Sequence, residues 1–246
     1  MTTCLRSLLR AWAYFFIFRP VIRALFFDAA GTLIEPAEPV AEVYARAAAA
    51  AGYRVEAAAV KRAFGAAFSG LGDPAWELHP HGDAAEREWW KAVVCGTFGE
   101  ILRGPLPASF GAEVFDGLFS HYADPRAWRV FPEVPGVLAA SREAGFRIAV
   151  VSNFDRRLHG ILEGHGLHFD AVVTSADACS RKPDPAIFRH ALDLLGFGPE
   201  EAFHVGDSRT ADFEGAQALG IEAFLLERPH TDLRDFLRGV LELGGK

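Results

Sequence analysis

The feature that most constrains the fold of this chain is a series of short apolar runs separated by longer segments with helical spacing. The runs are nearly continuous in apolar residues, which is typical of strands that are buried on both faces of a parallel sheet. Strands that alternate with helices predict an α/β architecture with helices on both faces of the sheet. We therefore predict an α/β fold with a Rossmann-like parallel sheet, and its strands at 22–27, 147–152, 171–175, 202–206 and 221–226.

The helices in the second half of the chain have recognisable starting points. Predicted helices cover 155–164, 185–195 and 210–219. Asp155 can cap the first of these helices, and Asp184 with the proline after it can begin the second. These signals support the alternation of strands and helices.

The stretch between the first and second strands differs because it contains no convincing strand. Its apolar residues have helical spacing, and connectors rich in Gly, Pro and His separate the segments. We predict a helical insertion at 35–128 within an α/β core at 22–34 and 129–246. Four helices of the insertion are predicted, at 40–51, 57–68, 84–96 and 110–121.

The start of the chain is apolar but too short to span a membrane. Two arginines precede an apolar run at 11–18, and an Arg-Pro pair closes it. A spanning helix needs about 20 apolar residues, and no small-residue cleavage site follows as in a signal peptide. We predict no integral membrane segment, and an N-terminal extension outside the fold at 1–21. It could be an over-extended start, with Val21 as the true first residue, or a peripheral amphipathic anchor.

Composition and charge limit the partners of the chain. Half of its 246 residues are apolar and 23% are charged, with a formal net charge of −7. This composition is ordinary for a globular protein, and the acidic total argues against a nucleic-acid partner, which needs a basic face. A small anionic substrate stays open, because a site can be locally positive. The scattered Cys4, Cys95 and Cys179 predict free thiols in a reducing compartment, and hence a cytoplasmic protein.

Four polar segments fall at the carboxyl ends of predicted strands, where open α/β sheets have their ligand crevice. They offer a carboxylate that can attack phosphorus, further carboxylates for a divalent cation, a hydroxyl for phosphoryl oxygens and a lysine. Ligands that are all oxygen favour Mg²⁺. Each signal alone is ordinary for a turn or a helix start, but four in order predict phosphoryl transfer from a small phosphorylated substrate. The candidate residues are Asp28 and Thr32, Ser152 and Asn153, Lys182, and Asp207 with Asp212.

The order of these segments resembles a subfamily I haloacid dehalogenase-like hydrolase over residues 22–228. The segment LFFDAAGTL at 25–33 is similar to motif I of that superfamily, and the inserted helices match a C1-type cap between motifs I and II. Three segments, REWWKAVV at 87–94, VSNFDRRLHGIL at 151–162 and KPDPAIF at 182–188, are most similar to one branch of it. Members of that branch also lack the second aspartate of motif I. The resemblance implies that the cap closes over the site and selects the substrate.

The resemblance also implies a role for each candidate residue. Asp28 would be the nucleophile that forms an aspartyl-phosphate, and a Mg²⁺ ligand together with the Ala30 backbone carbonyl. Asp207 would coordinate the ion directly, whereas Asp212 would hold a metal-bound water or Lys182. The phosphoryl group would be bound by Thr32, Ser152, the Asn153 backbone and Lys182, which would also bridge to Asp28.

Ala30 stands where the family usually has its second aspartate, the residue that protonates the leaving group and then activates water. A positioned general acid or base contributes about 10²–10⁴-fold in rate, so its loss would raise the barrier by roughly 3–5 kcal/mol. Substrates with good leaving groups, such as acyl or aryl phosphates, would be affected least. Possible substitutes are Asp155, whose simpler role is helix capping, Glu35, and the insertion residues His79 and His81.

Three functions stay open at this point. The first is a Mg²⁺-dependent phosphatase, and the second is a weak or inactive domain that binds a phosphorylated ligand or a protein partner. The third is C–P hydrolysis, because phosphonoacetaldehyde hydrolases resemble this chain in having alanine at this position and use a cap lysine as a Schiff base. Lys61 and Lys91 are the lysines of the insertion, and each is more simply a solvated helix charge. Dehalogenation is less favoured, because the acidic segment GDSRTAD at 206–212 suits a metal site.

Overall fold

The computed structural model describes residues 21–79, 81–104 and 106–244. Its strands are β1 (Ala24–Phe27), β2 (Ile34–Pro36), β3 (Trp128–Val130), β4 (Arg147–Ser152), β5 (Ala171–Thr174), β6 (Ala202–Gly206) and β7 (Glu222–Leu225).

Helices occupy most of the remaining chain. They are α1 (Val40–Ala50), α2 (Ala57–Gly70), α3 (Gly82–Leu102), α4 (Ala108–Phe110, continuing through the π-helical turn Gly111–Phe115 into Asp116–His121), α5 (Val134–Glu143), α6 (Arg157–Gly164), α7 (Ser175–Ala178), α8 (Pro185–Leu195), α9 (the π-helical turn Arg209–Glu214 followed by Gly215–Ala218) and α10 (Leu233–Gly244).

The main sheet has five parallel strands in the order β5-β4-β1-β6-β7. All four residues of β1 are fully buried, because this strand lies at the centre of the sheet and helices cover both faces. Leu25 and Phe27 pack on one face against α5, α6 and α10. Ala24 and Phe26 pack on the other face against α8 and α9. The predicted α/β fold with a parallel sheet is confirmed.

Helices α1–α4, which we call the cap helices, lie between β2 and β3 and share a separate apolar cluster. Its fully buried members include Ala48, Val60 and Phe98. The prediction of no strand within 35–128 is wrong at its ends, because β2 and β3 pair in antiparallel fashion with Glu35 opposite Arg129. Both chain connections between the sheet and the cap helices run through this pair. The division into an α/β core and a cap domain stays a prediction.

The helix boundaries differ modestly from those predicted. Helix α3 is longer than expected at both ends, and α6 begins two residues later than expected. Asp155 still accepts a hydrogen bond from the Arg157 N–H at 3.0 Å, as a residue at a helix start does. The segment predicted as a helix at 210–219 begins as a π-helical turn, a feature that helical spacing in a sequence does not reveal.

Three predictions concern the chain ends and surface. The predicted N-terminal extension lies outside the described residues, apart from Val21 at its end. No helix in the described part of the chain has both the length and the apolar character needed to cross a membrane. Cys95 and Cys179 are free thiols, as predicted, whereas Cys4 lies outside the described residues.

Candidate active site

Asp28 is the first residue after the central strand, and the neighbouring strand β6 fixes its backbone. Its N–H donates to the Val205 carbonyl at 2.9 Å, and the residue is 7% exposed. The chain then turns at Gly31, which has a φ of +93°. A Cβ atom at Gly31 would lie 2.4 Å from Asp207 Oδ2, so only glycine lets the turn approach that carboxylate so closely. The turn thus brings two candidate carboxylates together.

Lys182 connects two buried carboxylates. Its Nζ donates to Asp28 Oδ1 at 2.7 Å and to Asp212 Oδ1 at 2.5 Å, and the lysine is 5% exposed. The Ser152 hydroxyl donates to the same Asp28 oxygen at 3.0 Å. Burial alone would lower the pKa of Lys182, but the charges of Asp212 and Asp28 raise it. The lysine is therefore charged and holds both carboxylates in place.

Asn153 positions the backbone of Lys182. The Lys182 N–H donates to Asn153 Oδ1 at 2.7 Å, and Asn153 Nδ2 donates back to the Lys182 carbonyl at 2.9 Å. The two bonds join the loop after β4 to the loop before α8. The sequence analysis assigned the Asn153 backbone to phosphoryl binding, and the structure adds this positioning role for its side chain.

Three aspartates form a group that could hold a cation. Asp28, Asp207 and Asp212 offer carboxylate oxygens that all lie within 4.8 Å of one another. Burial raises the pKa of Asp28 to about 6, and the charges of Asp212 and Asp207 act in the same direction against that of Lys182. A divalent cation would relieve this repulsion, and a donor set made of oxygens fits Mg²⁺. We call these aspartates, together with Ser152 and Lys182, the acidic corner.

A cavity of about 250 Å³ lies between the cap helices and the carboxyl edge of the sheet. Two of its lining residues adjoin the acidic corner, since Ala30 follows Asp28 by two positions and Asn153 follows Ser152. Nine of its sixteen lining residues are aromatic. This cap cavity is lined by Ala30, Pro36, Val40, Tyr44, Phe64, Phe68, Trp90, Val94, Phe115, Leu118, Phe119, Tyr122, Trp128, Asn153, Phe154 and Arg157.

Sequence comparison assigns the family. A family sequence model described as haloacid dehalogenase-like hydrolase matches residues 22–220. The chain belongs to this family. Human haloacid dehalogenase-like hydrolase domain-containing protein 3 is 40% identical to this hydrolase over 214 residues, which cover 85% of this chain and 84% of that protein. The predicted resemblance to the superfamily and to this branch of it is confirmed.

Two further relatives of this hydrolase are phosphatases. Phosphoserine phosphatase of Thermus thermophilus is 34% identical over 146 residues, which cover 56% of this chain and 57% of that protein. The crystal structure of a HAD phosphatase from Thermococcus onnurineus matches with a TM-score of 0.58 and 25% identity, covering 85% of this chain and 88% of that one. The chain is thus a haloacid dehalogenase-like hydrolase with phosphatase relatives.

Two predicted site residues of this hydrolase lie outside the acidic corner. Thr32 is fully buried, and its hydroxyl has no hydrogen-bond partner within the described residues. A buried hydroxyl cannot reach a phosphoryl group in this conformation, so the structure does not favour the predicted contact. Ala30, in contrast, is exposed, and it lines the cap cavity beside Asp28.

The substitutes considered for the missing acid are occupied or remote. Asp155 is 2% exposed, and its two carboxylate oxygens accept from the Arg157 guanidinium at 2.8 and 2.7 Å. Glu35 forms an ion pair with Arg129 at 2.7 Å. Among the described residues that line the cap cavity there is no carboxylate and no histidine. The structure therefore offers no replacement for the absent aspartate from the four candidates, Asp155, Glu35, His79 and His81.

His204 is a site residue that the sequence analysis missed. It lies on β6 and is fully buried, with Nε2 3.0 Å from Asp212 Oδ1. Burial lowers the pKa of His204. Burial alone would raise the pKa of Asp212, but Lys182 and His204 hold it well below its usual range. A histidine inside the apolar run AFHVG was the signal in the sequence.

Arg228 was missed as well, and it supports the turn after Asp28 from the opposite side. Its guanidinium donates to the Gly31 carbonyl at 3.3 Å and to the Thr32 carbonyl at 3.0 Å. It also pairs with the buried Glu133 at 2.5 Å. The turn that carries Ala30 is therefore fixed by an arginine nearly 200 residues away in the sequence, a contact that no local pattern predicts.

The cap helices of this hydrolase are joined to the sheet by a buried ion pair. Glu86 on α3 is fully buried and pairs with Arg181 at 2.7 Å, while the Ser175 hydroxyl donates to the same carboxylate. Arg181 lies 3.8 Å over the Trp89 ring and directly precedes Lys182. The docking of α3 therefore contacts the loop that carries the central lysine of the acidic corner.

Proposed function

We propose that this hydrolase is a Mg²⁺-dependent phosphatase that cleaves a small phosphorylated molecule through an aspartyl-phosphate on Asp28. The observation that carries the proposal is the environment of the Asp28 carboxylate. Lys182 and Ser152 both donate to its Oδ1, which fixes the carboxylate and leaves Oδ2 available for substrate or cation. Two more aspartates lie beside it. The phosphatases among the relatives support the same reaction class.

The residues of the acidic corner would act in two steps. In the first, the Asp28 carboxylate attacks phosphorus, the bond from phosphorus to the leaving-group oxygen breaks, and that oxygen departs with the electron pair. In the second, water attacks the phosphoryl group, which releases inorganic phosphate and restores the carboxylate. The charged Lys182 and the Ser152 hydroxyl stabilise the phosphoryl oxygens in both steps. Asp212 holds Lys182 in position through its 2.5 Å contact.

A divalent cation would be held by Asp28 and Asp207, with the Ala30 carbonyl and Asp212 as further partners. The fit rests on carboxylate oxygens that lie within 4.8 Å of one another and on the pKa of Asp28, which burial raises to about 6. When bound, Mg²⁺ supplies positive charge that offsets the repulsion between the nucleophile and the phosphate.

Broader features of the proposal follow from the whole chain. We propose that the α/β core at 22–34 and 129–246 carries the chemistry, and that the cap domain at 35–128 covers the substrate. The net charge of −7 supports a small phosphorylated substrate rather than a nucleic acid. Scattered thiols support a cytoplasmic location.

A second candidate function is binding of a phosphorylated ligand without turnover. Ala30 favours it, because the described side chains that line the cap cavity include no acid to replace the missing aspartate. C–P hydrolysis through a Schiff base is not favoured. Lys61 is exposed, Lys91 pairs with Glu88 at 3.4 Å, and neither lines the cap cavity.

The test is hydrolysis of p-nitrophenyl phosphate with and without Mg²⁺ by the wild type, Asp28→Asn and the control Asp193→Asn, whose aspartate is exposed on α8. We expect turnover that needs Mg²⁺, is lost in Asp28→Asn and is unchanged in Asp193→Asn. Turnover that persists in Asp28→Asn would contradict the nucleophile assignment. If the wild type does not turn over but phosphate analogues raise its Tm in a Mg²⁺-dependent way, the binding function replaces the phosphatase.

A further inference from the structure

The cap cavity has an unusual lining for a protein related to phosphoserine phosphatase. Most of its wall is aromatic, and Arg157 is the one charged side chain among the described residues that line it. That guanidinium already has its partners. It donates to both Asp155 oxygens at 2.8 and 2.7 Å and to the Phe119 carbonyl at 2.8 Å. A substrate with a charged body, or with many hydroxyl groups, would therefore lose hydration here without gaining partners.

Two donors in the wall of the cap cavity are unpartnered. The Trp90 Nε1–H and the Tyr122 hydroxyl are buried and have no hydrogen-bond partner within residues 21–79, 81–104 and 106–244. Neighbouring tryptophans are satisfied, since Trp89 Nε1 donates to the Gly72 carbonyl at 2.7 Å and Trp128 Nε1 to the Tyr122 carbonyl at 3.1 Å. Burial raises the pKa of Tyr122 to about 12, so the hydroxyl keeps its proton. A ligand atom that accepts hydrogen bonds would satisfy these donors.

The end of the cavity beside Asp28 is apolar as well. Ala30 contributes only a methyl group where a carboxylic acid would protonate a departing oxygen. A phenolate leaves without such help far more readily than an alkoxide, because the phenol is the stronger acid. The wall and the missing acid therefore select for the same leaving group.

We infer that the substrate is the phosphate monoester of an uncharged aromatic alcohol that carries a hydrogen-bond acceptor at the end of the molecule opposite the phosphate. The inference rests on the proposed phosphatase function and specifies its substrate class. An apolar cavity of about 150 Å³ holds benzene, so the 250 Å³ of the cap cavity suits a two-ring body. In the reaction the bond from the phenolic oxygen to phosphorus breaks, the phenolate departs with the electron pair, and water supplies its proton.

The first experiment compares kcat/KM in Mg²⁺ for 2-naphthyl phosphate, phenyl phosphate, phosphoserine and glucose 6-phosphate. We expect 2-naphthyl phosphate to exceed the last two by at least about 100-fold, a gap that reflects both the apolar wall and the leaving group. It should have a KM about tenfold below that of phenyl phosphate, whose leaving group is of similar acidity, because the second ring is buried.

The second experiment tests the two donors. Umbelliferyl phosphate carries a carbonyl group opposite its phosphate, whereas 2-naphthyl phosphate does not. In Trp90→Phe and in Tyr122→Phe we expect the KM for the umbelliferyl ester to rise about three- to tenfold, the effect of one hydrogen bond. The KM for the naphthyl ester should stay within about twofold. Trp76→Phe and Tyr53→Phe, which lie outside the cavity wall, are the matched controls.

The outcomes separate this inference from the phosphatase proposal. If phosphoserine or glucose 6-phosphate is hydrolysed as well as 2-naphthyl phosphate, the substrate class is wrong while the phosphatase stands. Equal changes of KM for both aryl esters in Trp90→Phe and Tyr122→Phe would overturn the acceptor assignment. If no phosphate ester is hydrolysed, the phosphatase proposal fails. The cavity is then tested by Tm, which naphthylmethylphosphonate must raise more than methylphosphonate does for the aromatic assignment to survive.

Discussion

The acidic corner and the cap cavity satisfy their polar groups in opposite ways. In the corner, the Lys182 ammonium, the Ser152 hydroxyl and two carboxylates are bonded to one another within 3.0 Å. In the cavity, the Trp90 and Tyr122 donors are buried without partners in the described part of the chain. The corner is therefore organised before any ligand binds, whereas the cavity needs a ligand to complete its hydrogen bonds. Chemistry is fixed by the sheet, and selection is left to the cap helices.

The comparison is sharpest at Ala30, the residue that belongs to both regions. Ala30→Asp would place an acid at the boundary between them, and we expect a gain of about 10²–10⁴-fold in kcat/KM for an alkyl ester. The substrates are 2-naphthylmethyl phosphate and 2-naphthyl phosphate, which present the same rings with a poor and a good leaving group. The gain should be smaller for the aryl ester, because its phenolate needs less protonation.

Ala30→Asn is the matched control for this prediction, since it has the same shape as aspartate without an acidic proton. An equal gain in Ala30→Asn would show that the effect is not proton transfer. The absence of a gain in Ala30→Asp for either ester would mean that the site lacks more than the acid.

The next largest effect tests whether the acidic corner is held together by its lysine. Lys182→Met would leave the buried Asp28 and Asp212 without their shared cation, and we expect a loss of about 3–5 kcal/mol in the free energy of unfolding. Urea denaturation measures it. Lys61→Met, at an exposed lysine, should leave the midpoint nearly unchanged. A small loss in Lys182→Met would mean that the two carboxylates adapt by protonation rather than depend on the lysine.

A smaller effect tests the joint between the two regions. Glu86→Gln keeps the shape of the side chain but removes the charge that pairs with Arg181, and we expect a loss of about 1.5–3 kcal/mol. Glu88→Gln on the same helix is the control, because its carboxylate is 52% exposed. Equal urea midpoints for the two variants would show that the buried pair does not hold α3 against the sheet.

The fold was largely predictable because its strands are nearly continuous apolar runs. In the central strand even alternate residues on opposite faces are fully buried, so the pattern has one simple interpretation. The β2–β3 pair was missed, since three-residue strands such as Ile34–Pro36 are too short to show periodicity. The π-helical start of α9 was missed because its spacing resembles that of an ordinary helix.

The site was predictable to the extent that a parallel sheet brings strand ends together. Asp28, Ser152 and Asp207 each lie at the carboxyl end of a strand, so their proximity follows from the topology. Arg228 reaches the turn after Asp28 through tertiary packing alone. The cap cavity was beyond prediction for the same reason, because its wall combines residues from four helices whose relative rotation no local pattern records.

The most direct test of the account is a search for the phosphoryl group on Asp28. Because the family's absent aspartate also activates water, the second step should be slow in this hydrolase and the aspartyl-phosphate should accumulate. The protein is mixed with 2-naphthyl phosphate and Mg²⁺, quenched in acid and analysed by peptide mass spectrometry. We predict one phosphoryl group on Asp28, present in the wild type, absent in Asp28→Asn and less abundant in Ala30→Asp. Turnover of the ester with no phosphorylated Asp28, or with the group on another residue, would contradict the account.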